Sequence, residues 1–154
     1  MATTVTPVAL EATITETINI GGSTYGNTVA KTTTVVGQAD QRIMNIGTTE
    51  TTILNLSTKD GAGQIVSDNL KYLRITNLDD TNSIQLCFKS EVTVSEVTTS
   101  QNYSIQLDAL DSHVIMNNQL SGEVSASIGV LADCTKISAK CTVACDIEYL
   151  VITD

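Results

Sequence analysis

The chain has 154 residues and a mass of 16.3 kDa, enough for one domain with a core of its own. Its formal charge of −9 and pI of about 4.3 exclude the basic stripe that nucleic-acid binding needs, and an acidic membrane surface would repel it. Twenty-four threonines, a single proline and no tryptophan favour pleated strands over helices, because branching at Cβ restricts χ1 in a way strands accommodate.

Residues Met1–Val8 (MATTVTPV) show no periodicity and are expected to form a flexible arm over residues 1–9. Thr3, Thr4, Val5 and Pro7 are its candidate contact residues. No basic region precedes an apolar core here, so no signal peptide is expected. No stretch reaches the roughly 18 apolar residues that span a bilayer.

From Leu10 to Ile20 the chain alternates. Leu10, Ala12, Ile14, Ile18 and Ile20 share one face, with Glu16 as the break, and threonines fill the other. Such alternation predicts a half-buried strand. The glycine-rich run Gly21–Asn27 (GGSTYGN) and a second Thr-rich strand, TVAKTTTVVG, complete an expected hairpin over residues 10–37 with a wide loop. Tyr25 and Asn27 are the candidate contacts of that loop.

Gln41–Ile46 and Thr51–Leu56 read as short strands with a turn at Gly47–Glu50. The loop Ser57–Asp68 is rich in Gly, Ser and Asp, and Lys59 and Gln64 are its candidate contacts. LKYLRITN (70–77) and NSIQLCFK (82–89) are the central strands, joined by a turn at Asp79, Asp80, Thr81 and Asn82. Val92, Val94 and Val97 suggest an irregular strand or a bulged edge. YSIQL and SHVIM follow, with a corner at Leu110–Asp111. EVSASIGVLA, TKISAKC and DIEYLVITD supply the last strands, and Leu150 and Ile152 imply that the closing strand is covered on both faces. Roughly ten short strands with turns every eight to twelve residues predict an all-β, antiparallel β-sandwich, jelly-roll-like, spanning residues 10–154.

The residues that carry chemistry do not assemble into a motif. His113 stands in Asp111-Ser112-His113, but neighbours along a strand point to opposite faces, so a shared hydrolytic site is not expected. Asp79, Asp80 and Asn82 are a fragment of a calcium loop without its glycine and terminal glutamate, and a turn is the expected role. Asp60-Gly61-Ala62-Gly63 lacks the lysine of a phosphate loop. Cys87, Cys134, Cys141 and Cys145 have neither zinc-site nor CxxC spacing, so free thiols are expected, with one disulfide left open. No catalytic residue, cofactor site or metal site is therefore predicted.

KYLRITNLDDTNSIQLCF, YSIQLDALDSHVIMNN and DIEYLVITD together resemble small β-sandwich virion proteins of tailed bacteriophages, across Leu70–Asp154. The resemblance rests on a strand ending in ITN, an Asp-Thr-Asn turn, an I-x-L strand ending at a Leu-Asp corner, and a closing EY strand. It does not cover the N-terminal hairpin. It implies a structural protein without enzymatic activity: a decoration or cement protein on the capsid surface, made in the host cytoplasm. The implied partners are the major capsid protein and further copies of the chain, a trimer being favoured, with neither nucleic acid nor membrane. Two alternatives stay open: a neck, tail or fibre-associated component, and a carbohydrate-binding sandwich, whose exposed aromatics the four tyrosines would have to supply.

Overall fold

The computed structural model describes residues 9–33, 37–57, 64–116, 120–123 and 131–154. Among them are thirteen strands, every pairing antiparallel, and one turn of 3-10 helix at Ser67–Asn69. The chain divides into two compact units, Met1–Gly37 and Gln38–Asp154.

The first unit is a two-stranded ribbon. Strands β1 (Leu10–Thr15) and β2 (Ile18–Ile20) run against β3 (Ser23–Tyr25) and β4 (Thr28–Thr33). One register carries through both pairs, from Leu10 opposite Thr33 to Ile20 opposite Ser23. The Glu16 N–H donates to the Asn27 carbonyl at 2.8 Å and bridges the break between them. The expected wide loop over Gly21–Asn27 is corrected here. The turn is Gly21–Gly22 alone, and Ser23–Tyr25 is paired strand. Positive φ at both glycines (59° and 85°) gives the tight turn whose twist matches the ribbon, and such φ values cost glycine least. At Gly26 a Cβ would sit 1.9 Å from the Glu16 carbonyl oxygen, so the strands approach there only because the side chain is missing.

The second unit is a sandwich of two sheets. In the first sheet the order is β10 (Ser112–Ile115), β7 (Leu70–Asn77), β13 (Cys145–Thr153), β5 (Gln38–Ile46). The second is centred on β12 (Leu131–Cys141). On one side β12 pairs with β8 (Ile84–Val94), which carries β9 (Val97–Leu107). On its other side lie β6 (Thr51–Asn55) and β11 (Ser121–Glu123). The chain changes sheets at every connection of this unit except β8–β9 and β11–β12, among them Gly47–Glu50, Leu78–Ser83, Asp108–Asp111 and Thr142–Ala144, because the strands on either side of each belong to different sheets.

Alternating apolar residues on the two inner faces build the core. Ile46, Leu73, Ile75, Leu86, Phe88, Ile137, Ile147 and Val151 have no exposed surface, and at roughly 25 cal/mol per Å² they dominate the stabilisation of the unit. On β13, Ile152 is also buried although it lies out of step with Tyr149 and Val151, and a register shift stands beside it. The expected irregular edge at Val92–Val97 is corrected as well. Strands β8 and β9 stay paired to Val94 opposite Val97, and the turn is Ser95–Glu96, at φ values of 50° and 67°. Polar residues around this turn hid a regular hairpin whose far end simply extends beyond the core.

One buried amide ties the corners together. Asn77 is fully buried, and its Nδ2 donates to the carbonyls of Asn82 (2.8 Å), Asp108 (3.0 Å) and Leu107 (3.4 Å). Its Oδ1 accepts from the Asp79 N–H at 3.1 Å, and its own N–H donates to the Asp111 carbonyl at 2.9 Å. Burying an amide without partners would cost on the order of 1–3 kcal/mol, so this satisfied network fixes where the chain crosses from one sheet to the other.

Candidate functional site

Of the residues with candidate contact roles, Thr3, Thr4, Val5, Pro7 and Lys59 lie outside the described residues. Gln64 lies half-buried just before the 3-10 turn. Tyr25 stands on the ribbon, 57% exposed and directly opposite Ile18. Asn27 is exposed and bound into the ribbon, its Oδ1 accepting from the Thr28 N–H at 2.9 Å. The structure thus brings Tyr25 and Asn27 onto one face of one element and places Gln64 in the other unit.

That face is the main feature sequence reasoning misjudged. Directly paired residues point to the same side, so Ile14, Ile18, Ile20, Tyr25 and Val29 form one stripe. Alternation predicted that this stripe would be half-buried. Instead the five side chains are 43–63% exposed. The opposite face is made of hydroxyls, with Thr15 and Thr28 in contact at 3.3 Å and Thr24 donating to Asn19 at 3.0 Å. Period-two patterning reveals which residues share a face and is silent on what covers it. Glu16, set in the middle of the stripe, was the available signal that the face is not ordinary core.

The outer faces of the sandwich carry ion pairs and polar side chains beside a few exposed apolar residues such as Ile43. On the second sheet Lys89 pairs with Glu91 (2.8 Å), and Lys136 pairs with Glu50 (2.6 Å). The Lys136 hydrogen bond, followed by that from Ser138, holds the Glu50 carboxyl below its usual pKa. An open depression of about 570 Å³ lies over this sheet, with Gln85, Ser104, Gln106 and Lys140 in its lining. On the first sheet Arg74 pairs with Glu148, and Asn45 donates to Asp146 at 2.8 Å.

Among the described residues β9 is paired on one side only, by β8. Its sequence, VTTSQNYSIQL, carries neither charge nor proline over eleven residues. Natural sheets normally guard such an edge with lysines, prolines or bulges. The uncharged polar residues Ser100, Asn102, Ser104 and Gln106 alternate along it and are exposed.

The titratable groups are used structurally. His113 sits opposite Ile75 in the ladder, and its ring meets the Phe88 ring edge-on at 5.7 Å. Burial lowers its pKa from the usual 6.5 and so favours the neutral ring. Ser112, on the other side of the strand, bonds the Thr76 hydroxyl at 2.8 Å, and the Asp111 carbonyl takes the Asn77 N–H. The adjacent trio Asp111-Ser112-His113 does not converge. Asp79 Oδ1 accepts from the backbone N–H groups of Asn82 (2.6 Å) and Thr81 (2.9 Å), which hold its carboxyl below the usual 3.8. Those bonds point its oxygen into its own turn, as expected of a corner.

All four cysteines are free thiols, three of them buried. Burial pushes Cys134 up to about 11 and, with Cys141 and Asp79 adding to it, Cys145 up to about 12. The Cys145 thiol donates to the Val143 carbonyl at 3.1 Å. Cys134 and Cys145 are thereby held protonated, the opposite of what a nucleophile requires.

Compared with protein-family models, with curated proteins and with solved structures, the chain gives no match.

Proposed function

We propose that this chain is a structural virion protein of a tailed bacteriophage, a capsid decoration or cement protein that binds the major capsid protein and stiffens the shell. The observation that carries this reading is the edge of β9, which is paired on one side only among the described residues and carries no charge or proline. A strand of eleven residues without charge or proline offers backbone N–H and C=O groups for strand addition, and alternate side chains give the addition its specificity. The same edge on a freely diffusing protein is a liability, whereas in an assembly it is a bonding surface. The outer faces support the reading too. Hydroxyl and amide side chains lose water at lower cost than unpaired charges, and some of the charges there stand in pairs such as Lys89–Glu91 and Arg74–Glu148. The resemblance over Leu70–Asp154 points to the same class.

The test is to locate the protein in purified particles by quantitative mass spectrometry and labelled imaging. Shell density and a copy number comparable with that of the major capsid protein are expected. Absence from particles overturns the proposal, and label confined to the tail replaces the capsid reading with a tail one. A charge in the middle of the edge, Asn102→Lys, is expected to reduce particle occupancy at least tenfold while leaving the fold intact.

A further inference from the structure

We propose that the ribbon Leu10–Thr33 is a self-association element, whose apolar face packs against the same face of a second copy of this chain.

The stripe of Ile14, Ile18, Ile20, Tyr25 and Val29 runs along the ribbon with one interruption at Glu16, and each of the five is more than two-fifths exposed. A lone two-stranded ribbon is marginal in water, since each strand has one neighbour and one unburied apolar face. The sequence nonetheless supports pairing along its whole length, with a two-glycine turn and the close approach at Gly26. Such consistency is expected of an element that folds against something.

Three features select a second copy as that partner. The first is shape. The face is two strands wide with nine directly paired positions, and another such ribbon matches that outline and twist, the two layers packing about 10 Å apart. The second is charge. Residues Met1–Gly37 hold Glu11, Glu16 and Lys31, a net −1, so −8 of the total −9 belongs to Gln38–Asp154. Contact between ribbons brings together the least charged parts of two acidic chains, whereas contact between sandwiches is opposed by repulsion. The third is area. Five large side chains about half exposed present on the order of 500 Å² per copy, or roughly 1,000 Å² for a pair, which reaches the lower bound of a specific interface. A two-fold arrangement lets the same patch serve both partners.

The contact is independent of where the protein sits in a particle, so it is tested on the purified chain. Sedimentation or light scattering at tens of micromolar is expected to give about twice the 16.3 kDa chain mass, falling towards one copy on dilution. Replacing Ile18→Thr and Ile20→Thr keeps strand propensity and removes the apolar face. The double variant is expected to weaken association at least tenfold while the thermal midpoint of the sandwich stays unchanged. Tyr25→Ser is a second, milder variant expected to act in the same direction. Thr13→Lys, on the hydroxyl face, and Ile43→Thr, on the sandwich surface, are expected to leave the mass unaltered. A wild-type mass of one copy at all concentrations, or of three, overturns the pairing. So does dissociation by Ile43→Thr, which would place the ribbon's partner surface on the sandwich, or a double variant that associates like wild type.

Discussion

The ribbon and the β8–β9 hairpin are the same local object with opposite surroundings. Each is a long antiparallel pair closed by a two-residue turn with positive φ at both turn positions. In β8–β9 the face bearing Ile84, Leu86 and Phe88 is buried at 0–1% exposure against the second layer of the sandwich. In the ribbon the equivalent face, bearing Ile14, Ile18 and Ile20, remains 43–63% exposed. Sequence alternation is equally strong in both. What separates them is a second apolar layer within the described residues, and that layer is supplied by residues far away in the chain.

Side-chain truncation is expected to separate the two hairpins most strongly. Phe88 is fully buried, stacked on Tyr103 with ring centroids 4.7 Å apart, so Phe88→Ala is expected to cost about 3–5 kcal/mol in urea unfolding. Ile18→Ala removes a comparable apolar group from the ribbon and is expected to change the stability of the sandwich by less than about 0.5 kcal/mol. Equal costs would break the distinction.

Next comes the polar network. Asn77→Ala strands the carbonyls of Asn82, Asp108 and Leu107 and the Asp79 N–H, and is expected to cost about 2–4 kcal/mol. The same corner sets a pH dependence. The Asp79 carboxyl is held below its usual value by the Asn82 and Thr81 N–H groups. The folded state therefore binds this proton less readily than the unfolded state. The contribution is present above the unfolded value, near 4, and is lost as pH falls through the lower folded value. Urea midpoints measured from pH 6 to pH 2 are expected to fall on the acid side, with a shallower fall in Asp79→Asn.

The smallest effect on global stability belongs to Gly26. A Cβ there meets the Glu16 carbonyl, so Gly26→Ala is expected to open the ribbon around residues 16–17 and 26–27 and to leave the unfolding of Gln38–Asp154 unchanged. Amide exchange resolved by residue measures both at once.

Much of the fold was legible in the chain because strands write their faces at period two. LKYLRITN, SIQLCF and DIEYLVITD all became strands with the expected residues buried, and the Asp79–Asn82 segment became a turn closed by its own side chains. Three things were not legible. Asn77 reads as a turn former at a strand end, and its buried role depends on carbonyls some thirty residues away. The Ser95–Glu96 turn lacks the glycine or asparagine that announces a tight hairpin. The exposure of the ribbon stripe depends on what is missing beside it, which no local pattern records. Of the candidate contacts, Tyr25 and Asn27 fall on that ribbon, although the reason offered for them, a wide loop, was not the one found.

The sandwich is expected to be stable within its own chain, whereas the proposed pairing makes the ribbon depend on a second copy. Hydrogen–deuterium exchange across a dilution series tests this contrast most directly. The paired amides of Leu10–Thr33 are expected to lose protection on dilution, while those of β7, β8, β12 and β13 keep theirs at every concentration. Ribbon amides that stay as protected as the sandwich strands at the lowest concentration would contradict the account.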